Sequence, residues 1–156
     1  MNVKIKTPEL DSFLRAVKKA HGYKVVVGIL HDHESREQST VTNAQVGAVH
    51  EFGSPAKNIP VRSFLRMPIT THFSQALKES KLFKKEELKK IIKEKKLIPW
   101  LKRVGITAKK VVREAFDSNG FGTWAPRKGD YKSKTRLILV DTQQLRDSIT
   151  SEVRHE

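Results

Sequence analysis

The chain has 156 residues, no cysteine, and 31 Lys and Arg against 17 Asp and Glu, a net charge of +14. The length fits one domain with one modest core, the lack of cysteine excludes disulfides and thiolate chemistry, and the excess of cations favours polyanionic partners through long-range attraction and counterion release. A hydrophobic share of 37% beside 31% charged residues gives a monomer limited apolar surface to set against its ordering entropy, so burial at subunit contacts is expected to supply the rest.

The start MNVKIKTPEL is charged from its first residues and lacks the apolar stretch of a secretory signal. No apolar run approaches the ~20 residues a bilayer-spanning helix needs, so a soluble chain without a membrane partner is expected. From Thr7 to Ala20, Leu10, Phe13, Leu14 and Val17 fall on one face, with Thr7 as N-cap, which predicts an amphipathic first helix. It stops at His21-Gly22, and Tyr23 to Leu30 (YKVVVGIL) predicts a strand rich in β-branched residues. His31 to Thr40 is polar and aperiodic, an exposed loop or hairpin tip. Thr42 then caps a short helix through Ala44, Val46, Ala48 and Val49 that closes at Gly53.

Ser54 to Val61 carries two prolines and predicts an extended connection. Beyond Pro68, Ile69, Phe73 and Leu77 have helical spacing, and a Lys-rich stretch follows from Leu82 to Ile92. Pro99 interrupts this pattern, and Trp100 to Phe116 resumes it with Leu101, Val104, Ala108, Val111, Val112 and Ala115 in one apolar stripe. Asp117 to Arg136 is read as one long polar loop. Asp141 caps a short helix whose Leu145 and Ile149 face inward, and Thr150 to Arg154 alternates as an edge strand. Neither an internal repeat nor a domain boundary is visible, so residues 1–156 form a single domain, with a basic helical segment at about 78–116. The fold class expected is α+β, a small mostly antiparallel sheet packed against two or three longer helices, with long loops. The sheet comprises Tyr23 to Leu30 and Thr150 to Arg154, with part of the His31 to Thr40 loop as a candidate third strand.

Two groups of strings stand out in order as well as content. Val27-Gly28-Ile29 is followed by Ala48-Val49-His50-Glu51-Phe52-Gly53 and then Ile59-Pro60-Val61-Arg62-Ser63-Phe64-Leu65-Arg66. Later come the amphipathic Trp100 to Phe116, Trp124 with Pro126, and Leu137-Ile138 before Asp141-Thr142 and Gln144-Leu145-Arg146-Asp147-Ser148-Ile149. Over most of residues 23 to 153 the chain resembles the tail-completion and virion-morphogenesis proteins of tailed bacteriophages. It departs from that pattern at Gln143, where the family has glycine, and in a Lys-rich insertion around Phe83 to Lys96. The resemblance implies a structural protein of the virion without enzymatic activity or cofactor, made in host cytoplasm. It would complete the tail or neck at the head–tail joint as a hexameric ring. Implied partners are further copies of itself, the tail tube or tail terminator, the head connector proteins, and DNA passing through the lumen.

Read physically, Gly53 permits the positive φ that ends a helix. Pro60 fixes the chain direction so that Phe64 and Leu65 enter the core while Arg62 and Arg66 point elsewhere. Glu51 with Arg62 is a candidate ion pair within or between subunits, or a local surface pair. Trp124 is a candidate aromatic anchor. Glu51, Arg62, Arg66, Trp124 and Arg146 are thus the candidate subunit-interface residues, and the loops His31 to Thr40 and Phe121 to Arg136 are expected to dock on neighbours.

Catalysis has little in its favour. His50-Glu51 lacks the second histidine of the zinc-protease string because Ser54 stands there, and His50 reads as a capping or core residue. His31, Asp32, His33 and Glu34 alternate on a loop without a preorganised ligand geometry. No phosphate-cradling glycine loop or G-x-S-x-G elbow is present. From Lys78 to Arg113, 14 Lys or Arg face four Glu. Lys89, Lys93, Lys96, Lys102 and Arg103 are the candidates for facing DNA phosphates without reading sequence. The plainer reading is a solvated helix face in which Glu86 pairs with Lys90. A protein that binds DNA without sequence preference is the alternative function.

Overall fold

The computed structural model describes residues 15, 18, 21–30, 35–36, 40–94, 97–126, 137–140 and 143–156. The predicted first helix lies outside the described residues except for Arg15 and Lys18, both helical and exposed. The fold is α+β. Strand β1 (Tyr23–Ile29) pairs antiparallel with β2 (Ile149–His155), in a register that sets Tyr23 opposite His155 and Ile29 opposite Ile149. No third strand joins this sheet among the described residues.

Thr42 caps α1 (Asn43–Phe52) as expected, its hydroxyl accepting the Gln45 N–H while the Gln45 amide oxygen accepts the Thr42 N–H. Gly53 ends the helix at φ 75°. The face of α1 that turns inward is broader than its apolar residues suggest: Val46 packs on the core, but the fully buried positions are Asn43, Gly47 and Glu51, and Ala48 is exposed. Gly47 explains this, because a Cβ there would lie 2.7 Å from Ile29 Cδ1 and 3.2 Å from Phe64 Cζ, so a bare backbone lets α1 approach β1 and the core.

The connection from Ser54 is not extended throughout. A single 3-10 turn, Pro55–Lys57, folds it back so that Ser54 and Ile59 exchange both backbone hydrogen bonds at 2.9 Å. Helix α2 (Arg66–Glu79) begins before Pro68 rather than after it. Proline fits the first turn because its missing N–H would have no intrahelical acceptor. The same reason admits Pro99 to the first turn of α4 (Leu97–Asp117), which therefore starts earlier than predicted. Between them runs the Lys-rich α3 (Lys85–Glu94).

α4 is the centre of the molecule. It packs on both strands, on α2 and on α3. Its stripe is buried much as periodicity predicts, through Ala108, Val111, Val112, Ala115 and Phe116, while Gly105 brings its backbone against Val25 and Ser151. The one-turn α5 (Gln144–Asp147) carries Leu145 into the core beside Ile149, the first residue of β2. The core holds Phe64, Val112, Ala115, Phe116, Trp124, Val140, Leu145 and Ile149. Burying each large side chain contributes about 1.5–3 kcal/mol.

Candidate functional site

The strings singled out in the sequence converge on one junction beside this core. Glu51, at the end of α1, is 6% exposed, and its carboxylate faces the start of α2. Oε1 accepts Ser63 Oγ at 2.6 Å and the Arg66 N–H at 3.1 Å; Oε2 accepts the Phe64 N–H at 2.9 Å and the Leu65 N–H at 3.0 Å. Ser63 Oγ in turn accepts the Met67 N–H at 2.9 Å. Pro68 has no N–H, and Ile69 makes the first backbone bond back to Leu65. Every donor at the start of α2 is thus met, largely by one negative charge at the positive helix end.

This geometry separates Glu51 from Arg62. A carboxylate has about four acceptor positions, and Glu51 fills them with serine and backbone, so it forms no pair with Arg62. Arg62 is itself 7% exposed rather than outward-pointing. Its Nε donates to the Ala125 carbonyl at 3.0 Å and Nη2 to the Pro126 carbonyl at 3.1 Å, fastening the segment that follows Trp124.

Trp124, expected on a docking loop, is 7% exposed and belongs to the core. Its indole stands edge-on to Phe116 at 5.8 Å and donates Nε1–H to the Ser63 carbonyl at 3.3 Å. The turn before it depends on Gly120, at φ 69°, where a Cβ would lie 2.2 Å from the Trp124 Nε1. The polarity of its neighbours concealed Trp124 from sequence reasoning, since the residues around it are loop-like while its own ring is not. Residues 127–136 of the predicted docking loop, and residues 31–34 with their histidines, lie outside the described residues.

Arg146 joins α5 to the end of α4 by a two-pronged pair with Asp117, at 3.0 and 2.9 Å. That hydrogen-bonded pairing is the first cause holding its guanidinium above the ordinary value, against a smaller opposing effect of burial. Of the five predicted interface residues, Arg66 is the exposed one, its guanidinium 5.9 Å from the centroid of the Phe52 ring. Phe52 is 66% exposed and Val61 55%, and Gly53 lies between them against Val61. Sequence reasoning passed over both. The available signal was position: Phe52 follows the buried Glu51 on α1, and Val61 precedes the buried Arg62.

The basic segment is only partly paired. Arg103 Nη1 donates to Glu87 at 2.9 Å and Lys90 to the same carboxylate at 3.3 Å, so Lys90 pairs with Glu87 and not with Glu86. The Arg103 hydrogen bond, then the one from Lys90, holds Glu87 below the usual carboxylate range. Lys89, Lys93 and Lys102 are exposed, and Lys96 lies outside the described residues. Among the described residues no helix is long and apolar enough to cross a membrane, and no group of three His, Asp or Glu residues is placed to hold a metal ion. No family model, curated protein or solved structure matches the chain.

Proposed function

We propose that this protein is a structural subunit of a tailed-bacteriophage virion that completes the tail or neck at the head–tail joint by assembling into a hexameric ring. Its work is binding, with the tail tube or terminator on one side and the head connector on the other, and DNA passing through the lumen. What supports the reading is the junction itself. The strings that carry the resemblance, HEFG, IPVRSFLR, the Trp-Pro loop and QLRDSI, are far apart in the chain yet interlock through Glu51, Ser63, Arg62, Trp124 and Leu145 around one core. They therefore pack as one unit, as a single interlocking element of the proposed subunit would. Beside that unit, Phe52, Val61 and Arg66 have the aromatic, aliphatic and arginine character found at the centres of subunit contacts.

The experiment is negative-stain imaging of phage particles made without the protein, with heads and tails counted separately. Normal heads beside unjoined tails, or tails of abnormal length, are expected. Intact infectious particles would overturn the proposal.

A further inference from the structure

We propose that the corner between α2 and α3 is a binding platform for single-stranded nucleic acid. Phe83 offers the stacking face, and Lys78, Lys81, Lys84 and Lys85 the phosphate contacts. The inference is independent of the virion role.

The turn that joins the two helices runs through Lys81 at φ 58° and separates two neighbouring apolar residues. Leu82 goes inward and is 2% exposed; Phe83 goes outward and is 51% exposed. Phe83 is nevertheless held. Its ring meets Trp100 edge-on, with centroids 5.0 Å apart at 75°, and Trp100 is fixed by its Nε1–H donating to the Leu82 carbonyl at 3.0 Å. The buried leucine thus positions the tryptophan, which orients the phenylalanine and leaves about half of that residue in water. This is an aromatic surface ready for a planar ligand without the ordering cost of a loose side chain.

Cations outnumber anions along this corner. Lys78, Lys81, Lys84 and Lys85 are all exposed, and none forms an ion pair with a described residue. Among the nearby acids, Glu87 is held by Arg103 and Lys90, and Glu79 accepts from Gln75 Nε2 at 2.8 Å; Glu86 stands one residue beyond Lys85. Unpaired cations around an exposed aromatic ring complement a strand whose phosphates are charged and whose bases present flat faces. A duplex keeps those faces stacked inside, so it engages the lysines alone, whereas a single strand engages lysines and ring together.

The test uses the full chain and anisotropy of a labelled oligothymidine and of the duplex of equal length, across a salt series. The single strand is expected to bind more tightly than the duplex, and both to weaken as salt rises. Phe83→Ala, at an exposed position, is expected to weaken single-strand binding about 5- to 150-fold, the loss of one base–aromatic stack, with duplex binding unchanged. Phe83→Tyr keeps the single-strand preference, and Lys84→Glu with Lys85→Glu abolishes both. Circular dichroism checks that each variant is folded. Equal affinity for both forms, insensitivity to Phe83→Ala in a folded variant, or no binding at low salt would overturn the proposal. So would Phe83-dependent binding to anionic vesicles without binding to the oligonucleotide, which would make the corner a membrane-surface contact.

Discussion

Ser63 and Glu51 are joined by a 2.6 Å hydrogen bond that ties the end of α1 to the start of α2, because the same serine oxygen accepts the Met67 N–H. Replacing Glu51 tests how much of the fold hangs on this link. Glu51→Gln keeps the shape but removes the charge and turns an NH2 group toward backbone donors, a change expected to cost on the order of 3 kcal/mol. Glu51→Ala leaves the N–H groups of Phe64, Leu65 and Arg66 without this acceptor, the first of them buried and the other two partly so, with an expected cost of about 2–4 kcal/mol. Urea denaturation measures both. A loss below about 1 kcal/mol for the alanine variant would mean that water replaces the carboxylate.

Trp124 gives a second stability prediction. Its ring packs on Phe116 and its Nε1 reaches Ser63, so Trp124→Ala is expected to cost about 3–5 kcal/mol by opening a cavity. Trp124→Phe keeps most of the volume and loses the hydrogen bond, with an expected cost of about 1–2 kcal/mol. Thermal melts of the monomer separate these outcomes from any effect on assembly. A fully stable Trp124→Ala chain would return the residue to the surface.

The elements that sequence made legible are those where one physical signal acts alone. α4 has a clean apolar stripe with core positions at Ala108, Val111, Val112 and Ala115, and Thr42 offers a capping hydroxyl at the position α1 requires. What stayed hidden depends on partners distant in sequence. Nothing local says that Glu51 will satisfy the start of another helix, that Gly47 will be buried against Ile29 and Phe64 beside Val46, or that Arg62 will hold the carbonyls of residues 125 and 126. Pro68 and Pro99 look like helix limits in the sequence yet stand in first turns, because proline marks a boundary region without saying on which side the helix begins. The residues of the strings meet round one core, and the role of each follows from its long-range partner.

The acid limb of stability bears on α3. Arg103 and Lys90 hold Glu87 below its ordinary range. A carboxylate whose folded value is depressed contributes stability that is present above its unfolded value and is lost as pH falls through the folded one. The hold of α3 on α4 is therefore expected to loosen on acidification. NMR titration of the Glu87 carboxyl should give a midpoint below that of the same residue in an isolated α3 peptide, and Arg103→Leu should raise it. Glu87→Gln should be less stable than the parent at neutral pH and converge with it as the parent is acidified. Coinciding midpoints in protein and peptide would sink the argument.

Gln143 stands immediately before α5 at φ 60°, in the left-handed region that favours glycine. Glutamine therefore occupies a conformation in which glycine carries no steric penalty. An L-residue in that region costs about 1–2 kcal/mol, and glycine avoids the penalty while adding about 0.5–1 kcal/mol of unfolded-state entropy. Gln143→Gly is therefore expected to stabilise the chain by up to about 1 kcal/mol, and Gln143→Val to destabilise it, since a β-branched residue tolerates positive φ poorly. Parallel thermal melts of the three chains decide the matter: an order of glycine, glutamine, valine supports the strained start of α5, and a valine variant as stable as the parent would show that the backbone relaxes at no cost.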